Sequence, residues 1–164
     1  AAREARVPVI YFEEVHRADH VDFGRELDGT EGVHCIAGAI DTQLDKRLLP
    51  RDDEYLITKR RYSCFFGTDL EILLKGLKAE TLILTGEMTD VCVHYTFVDA
   101  HQRDYFTRVV TDCVGGSTKA RHAASLDAMA YLQRDALCTS DEVVATFNTL
   151  ATNTQTRTRQ SLAR

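Results

Sequence analysis

T-L-I-L-T-G-E-M-T-D-V-C-V-H-Y-T-F-V, Thr81 to Val98, passes from a strand into a helix across a single glycine. Thr81 to Thr85 is a short apolar run with β-branched members, the pattern of a buried strand. Gly86 closes it. Thr89 or Asp90 can cap the helix that follows, whose apolar stripe is Val91, Tyr95 and Val98. The same alternation extends in both directions. Upstream, Val7 to Phe12 and Tyr55 to Thr58 read as strands, the second ending at Lys59. Between them and Thr81, Thr68-Asp69-Leu70-Glu71 has the form of a capping box. It opens a helix with Leu70, Leu73, Leu74 and Leu77 on one stripe and Gly76 near its end. Downstream, Arg108 to Thr111 is a fourth strand. Gly115-Gly116-Ser117 leads into a helix from about Thr118 to Gln133, and Ala136 to Thr139 is a short fifth strand. Ser140 starts a last helix with Val143, Phe147 and Leu150 inward.

Strands alternating with amphipathic helices imply βαβ units and a mostly parallel sheet, an α/β fold. Such sheets bind small molecules at the carboxyl ends of their strands. That directs attention to Glu13–His16, Lys59–Phe65 and Gly86–Cys92. Glu13 to Pro50 holds four of the nine glycines and no clean period; long irregular segments of this kind are usually functional or mobile. The 164 residues argue for one domain, placed at 1–151, followed by a polar tail, 152–164, expected to fray. Ala1 to Arg6 reads as the last turn of a helix, so residues upstream of Ala1 are expected to be missing.

A composition of 44% hydrophobic and 27% charged residues is that of a soluble globular chain. The net charge of −5 with no basic run argues against nucleic acid as a partner, because phosphate contact needs clustered cations. No apolar run reaches membrane-spanning length. The five cysteines are odd in number and none forms a C-x-x-C pair, which disfavours a disulfide framework or zinc knuckle and points to a reducing cytoplasm.

Cys92 falls within the first turn of its helix, where unpaired N–H groups and the positive end of the dipole favour a thiolate. It can be a nucleophile there, with an oxyanion held by the same N–H groups, or a small buried hydrophobe. Lys59 ends an apolar strand and should aim its ammonium at the same rim. Lys59 to Arg61 can equally be a solvated charge run, although Tyr62, Phe65 and Phe66 border it at once. His16, His20 and His34 share the irregular segment with Glu14 and Asp22. Glu14-x-His16 can begin a metal site, but without a compact motif or a matched third ligand no metal is assigned. His94 lies about 200° round the helix from Cys92 and so serves as pocket lining or in packing. There is no G-x-G-x-x-G, P-loop or G-x-S-x-G.

K-R-R-Y-S-C-F-F-G-T-D-L (Lys59–Leu70) and T-G-E-M-T-D-V-C-V-H-Y-T-F-V-D-A (Thr85–Ala100) resemble the two signature segments of the isochorismatase-like cysteine hydrolases. The run Tyr105 to Asp112 followed by G-G-S, and His34-Cys35 with Gly38, fit the same pattern. The resemblance implies a Rossmann-like three-layer α/β/α fold, a six-stranded mostly parallel sheet and a homo-oligomer. It implies Cys92 as nucleophile, Lys59 as the triad lysine and a non-proline cis peptide at Glu87–Met88. Backbone N–H groups of Met88 and Cys92 would form the oxyanion hole. The chemistry implied is hydrolysis of a C–N bond in a small amide, carbamoyl or ureido substrate through a thioester, with no cofactor. By position, Tyr62, Phe65, His94 and Glu14 are the pocket candidates. The family's triad Asp ends a first strand that has no counterpart here. The expectation is therefore a gap in the sheet, no carboxylate placed to hold Lys59 or take the thiol proton, and impaired activity. The alternatives are a non-catalytic subunit or partner surface, and a nicotinamidase-like metal-assisted amidase.

Overall fold

The computed structural model describes the backbone of residues 1–162 and the side chains of residues 1–153; residues 152–162, expected to fray as a polar tail, continue the last helix. Five strands and four α-helices alternate: β1 (Ile10–Glu14), β2 (Tyr55–Lys59), α1 (Leu70–Leu77), β3 (Thr81–Glu87), α2 (His94–His101), β4 (Phe106–Gly115), α3 (Lys119–Leu132), β5 (Leu137–Cys138) and α4 (Ser140–Leu162). All described pairings are parallel, and they form two sheets, β1-β2 and β3-β4-β5. The α/β class expected from the alternation is what the chain adopts. No described strand joins β1 to β3, so the sheet is in two parts. Among the described residues no helix is long and apolar enough to cross a membrane.

Each sheet has its own core. Ile57 of β2 packs with Phe65, Leu70, Leu74 and Ala100, and Leu82 of β3 leans on this cluster. Val93, Phe97, Val109, Met129 and Ala136 form the second. Phe97 and Val109 have no exposed surface, which fixes α2 against β4.

Several boundaries differ from the sequence expectation for local reasons. The first strand starts at Ile10, not Val7, because Pro8 has no N–H for a ladder, and it runs on to Glu14. The capping box does not close: Thr68 Oγ1 accepts from Leu70 N at 3.3 Å and Glu71 pairs with Lys75 at 2.9 Å. The first helix ends at Lys78 in the left-handed region (φ 54°), two residues past Gly76. The face α2 buries is Val93, Thr96, Phe97 and Ala100, while Tyr95 of the expected stripe is exposed. The expected stripe was phased from Val91 as though helix began at the cap. Instead, Thr89–Val93 forms one wide π-turn before α2 and shifts that phase.

Candidate active site

Parallel pairing puts Glu14 beside Lys59 at the carboxyl ends of β1 and β2. Residues matched across a parallel pair point to the same face, and their neighbours to the other. Glu14 and Lys59 therefore turn together into the cleft, whereas Glu13 and Thr58 meet on the opposite side, joined by a 2.8 Å hydrogen bond. The Lys59 ammonium is buried and carries three N–H donors. It gives one to Glu14 Oε2, one to Arg61 O at 3.0 Å and one to Cys92 Sγ at 3.5 Å. Burial works against the charge on Lys59, but Cys92 and Glu14 outweigh it and raise its pKa.

Cys92 comes to this point from the wide turn Thr89–Val93, where Met88 O accepts from both Val91 N and Val93 N at 3.1 Å. The Glu87–Met88 peptide is cis, as the resemblance implies. Two anchors hold the turn against the ends of β4 and α3. Asp90 accepts from Ser117 N at 2.8 Å, and Thr89 Oγ1 shares a hydrogen bond with His122 Nδ1 at 2.9 Å. Asp90 and Thr89 thus clamp the loop and do not cap the helix.

The thiol pKa is raised, not lowered as the helix-terminus reading expects. Burial is the main cause, and the Glu14 carboxylate 4.0 Å away adds to it, against the pull of Lys59 and a backbone hydrogen bond from Met88. Glu14 itself is held below the usual carboxylate range: burial opposes this, but hydrogen bonds from Lys59 and His34 prevail. The expectation that no carboxylate stands near Lys59 and the sulfur is therefore corrected. Glu14 contacts both, a placement decided by strand register and invisible in spacing.

A second cluster shares Glu14. His16 N donates to Cys35 O at 2.7 Å and Ala37 N to His16 O at 2.9 Å, which draws the loop carrying His34 alongside the end of β1. His34 Nδ1 donates to Gly32 O at 2.7 Å while its Nε2 faces Glu14 Oε1 at 3.1 Å. Burial works against the charged imidazolium, but the Gly32 carbonyl and the Glu14 carboxylate outweigh it and raise the His34 pKa. His16 is fully buried and stacked on Phe23 with ring centroids 3.9 Å apart. Its Nε2 lies 3.2 Å from Glu26 Oε2, yet neither side chain has a hydrogen bond of good geometry. Burial and Glu14 raise the Glu26 pKa.

The donor atoms of Glu14, His16, Glu26 and His34 lie within 4.8 Å of one another. Two imidazoles and two carboxylates, with the polar atoms of His16 and Glu26 left without hydrogen bonds, fit a divalent metal. This corrects the reading that Glu14-x-His16 lacks a matched third ligand. Glu26 has no sequence signal of its own and is found only through the fold. Asp22, on the same loop, binds Arg17 and Arg60; burial opposes but these bonds hold its pKa down at about 2, pinning the loop to the end of β2.

Of the pocket candidates, Tyr62 borders this acidic cluster and stacks on Tyr95 with centroids 5.7 Å apart. Phe65 belongs to the core beneath Arg103, not to the cleft, because the turn after Lys59 swings it back onto Leu70 and Leu74. His94 makes a ring contact with Tyr95 on the outer side of α2.

A half-buried thiol, an ammonium and a carboxylate meeting at the carboxyl ends of parallel strands make this an α/β protein with a cysteine-centred cleft. The isochorismatase domain model matches residues 1–142, and the chain belongs to that family. It is 30% identical over 142 residues to the ureidoacrylate amidohydrolase RutB of Pseudomonas syringae pv. syringae (strain B728a), covering 76% of this chain and 58% of the relative. It is 34% identical over 122 residues to the N-carbamoylsarcosine amidase of an Arthrobacter species, covering 70% and 46%. The chain thus spans about half the length of these curated relatives. Its fold superposes with a TM-score of 0.81 on a cysteine hydrolase of Pseudomonas syringae pv. phaseolicola 1448A, at 26% identity over 91% of this chain and 76% of that one.

Proposed function

We propose that this chain is the core of a cysteine hydrolase that cleaves a C–N bond of a small amide, carbamoyl or ureido substrate through a thioester on Cys92. The observation that supports it most is the approach of Lys59 Nζ to Cys92 Sγ at 3.5 Å inside a buried cleft. A thiolate formed at Cys92 is stabilised by that ammonium, and backbone N–H groups of Met88 and Cys92 stand on the turn where an oxyanion would develop. The names of the similar enzymes, ureidoacrylate amidohydrolase and N-carbamoylsarcosine amidase, favour a ureido or carbamoyl group as the one attacked. Attack by sulfur on its carbonyl carbon expels ammonia or an amine, and water then hydrolyses the thioester.

The test is ammonia release from a panel of ureido acids and primary amides by the parent chain and by Cys92→Ala and Lys59→Ala. Loss of release in both variants is expected. Retained turnover in Cys92→Ala removes the thiol from the chemistry. No turnover by the parent over the whole panel favours the non-catalytic alternative.

A second reading, a metal-assisted amidase, is favoured by the unsatisfied buried donors of His16 and Glu26. Glu14, His16, Glu26 and His34 would hold the ion, whose contribution is Lewis-acid polarisation of a bound group. Elemental analysis of the purified protein checks it. Stoichiometric zinc, iron or manganese that disappears in Glu26→Gln/His16→Ala supports this reading; a metal-free protein that turns over ureido acids rejects it.

A further inference from the structure

We infer that Thr96 is a positioning residue for the reaction: its hydroxyl ties the loop that follows Lys59 to the helix that follows Cys92, and so sets the approach of amine to sulfur. This rests on the cysteine-hydrolase reading above. Lys59 ends β2 in one sheet, whereas Cys92 stands on the turn after β3 in the other, and no described strand pairing joins the two sheets. Their alignment therefore has to come from side chains. Apart from the Lys59–Cys92 contact itself, the hydrogen bonding described between residues 59–66 and 88–104 runs through Thr96. Cys64 N donates to Thr96 Oγ1 at 3.0 Å, and the Cys64 thiol meets the same hydroxyl. The Cys64 peptide is held on its other side too, its C=O accepting from Thr68 Oγ1 at 2.5 Å.

Thr96 is 5% exposed and shares the buried face of α2 with Val93, Phe97 and Ala100. Valine would fill the same space, but it would leave the Cys64 N–H without an acceptor, which is costly away from water. A threonine inside a helix commonly bonds back to the carbonyl four residues earlier. Thr146, Thr149 and Thr152 of α4 do so, at 2.9, 3.0 and 3.0 Å. Thr96 reaches out to the loop after β2 instead. It lies about one turn beyond Cys92, and Cys64 lies a short way beyond Lys59. The two contacts thus close a ring: Lys59 along the chain to Cys64, across to Thr96, back to Cys92 and across to Lys59. Opening that ring at Thr96 frees the amine to drift from the sulfur. The remaining contacts across the boundary are ring faces, Tyr62 on Tyr95 and Arg103 over Phe65, which tolerate sliding in a way a directional hydrogen bond does not.

Thr96→Val keeps the shape and removes the acceptor. Its kcat for ammonia release from the best ureido or amide substrate should fall about 10²-fold, the effect of a misplacement of about 1 Å, with KM within about threefold of the parent. Thr96→Ser retains the oxygen and should keep the parental kcat. Thr107→Val is the structural control: that hydroxyl is also buried, donates to Gln133 Oε1 at 3.0 Å and bonds to neither reacting residue, so its loss should lower stability in urea and leave kcat unchanged. Alkylation of Cys92 by iodoacetamide, followed by peptide mapping, reads the alignment without substrate. It should slow in Thr96→Val, where the ammonium is no longer held against the sulfur, and stay parental in Thr96→Ser and Thr107→Val. Where Thr96→Val does not fold, Thr96→Ala takes its place in both assays. A folded Thr96→Val or Thr96→Ala that turns over within a few-fold of the parent overturns the proposal, as does an equal loss of kcat in Thr96→Ser or in Thr107→Val. With no measurable turnover in the parent, Cys92 alkylation that does not slow in Thr96→Val overturns it by itself. Turnover surviving in Cys92→Ala is a different failure, that of the cysteine-hydrolase reading.

Discussion

Lys59→Met keeps the length of the side chain and removes its charge. In the folded parent Lys59 is 6% exposed, and its ammonium is bonded to Glu14, Arg61 O and Cys92. The substitution strands Glu14 Oε2 in a site from which water has been largely excluded. The carboxylate can stay ionised without its cation, and breaking a buried pair from one side costs roughly 3–5 kcal/mol. Alternatively it takes a proton, which for a carboxyl of ordinary pKa costs roughly 3–4 kcal/mol at pH 7. The two routes agree on about 3–4 kcal/mol, with His34 still bonded to Oε1 keeping the value toward the lower end. Adding Glu14→Gln removes the stranded charge, so the double variant should recover part of the loss and retain only the unmade hydrogen bonds, about 1–3 kcal/mol. Urea unfolding at constant slope measures all four members of the cycle. The pH dependence has a definite sign. The parent's Glu14 has a depressed pKa, so its stabilisation is complete above the ordinary glutamate value and is lost as pH falls through the folded value. In Lys59→Met the penalty is relieved over the same descent, so the gap between parent and variant is widest at neutral pH and closes in acid. A variant within about 1 kcal/mol of the parent, or a gap that does not change between neutral and acid pH, would refute the buried ion pair.

Phe97→Ala opens a cavity in the fully buried cluster behind Cys92 and should cost roughly 3–5 kcal/mol by denaturant unfolding; a loss below 1 kcal/mol would mean that α2 is not seated on β4 as described. Arg3 grips Glu54 at 2.6 and 2.8 Å and, chiefly through that hydrogen bond, holds its pKa at about 2. A depressed carboxylate stabilises above its unfolded value and stops doing so as pH falls, so the difference in melting temperature between the parent and Glu54→Gln should be full at pH above about 5 and vanish toward pH 2. Glu14 raises the pKa of His34, so Glu14→Gln should lower it in an NMR titration; an unchanged titration would place His34 away from Glu14.

The α/β alternation, the strand ending at Lys59 and the turn bearing Cys92 were legible because each is written locally, in the period of apolar residues and the position of one glycine. What was hidden depends on long-range register. Glu13 and Glu14 are chemically alike and adjacent, and only pairing with Thr58 and Lys59 decides that Glu14 enters the cleft. Glu26 looked like any acid in an irregular loop until a second loop, bridged to His16 through Ile36, closed the space around it. Phe65 stands three residues from Tyr62 and looked like the same aromatic wall, but the turn between them sends one to the cleft and the other to the core. The phase of α2 was missed because a π-turn adds a residue that a regular helical wheel does not count.

The most direct measurement is mass spectrometry of the parent chain quenched in acid during turnover of its best amide or ureido substrate. A mass increase equal to the acyl or carbamoyl portion, mapped to the peptide carrying Cys92 and lost on treatment with hydroxylamine, is the result expected. Steady turnover with no adduct on Cys92, and undiminished in Cys92→Ala, would contradict the account.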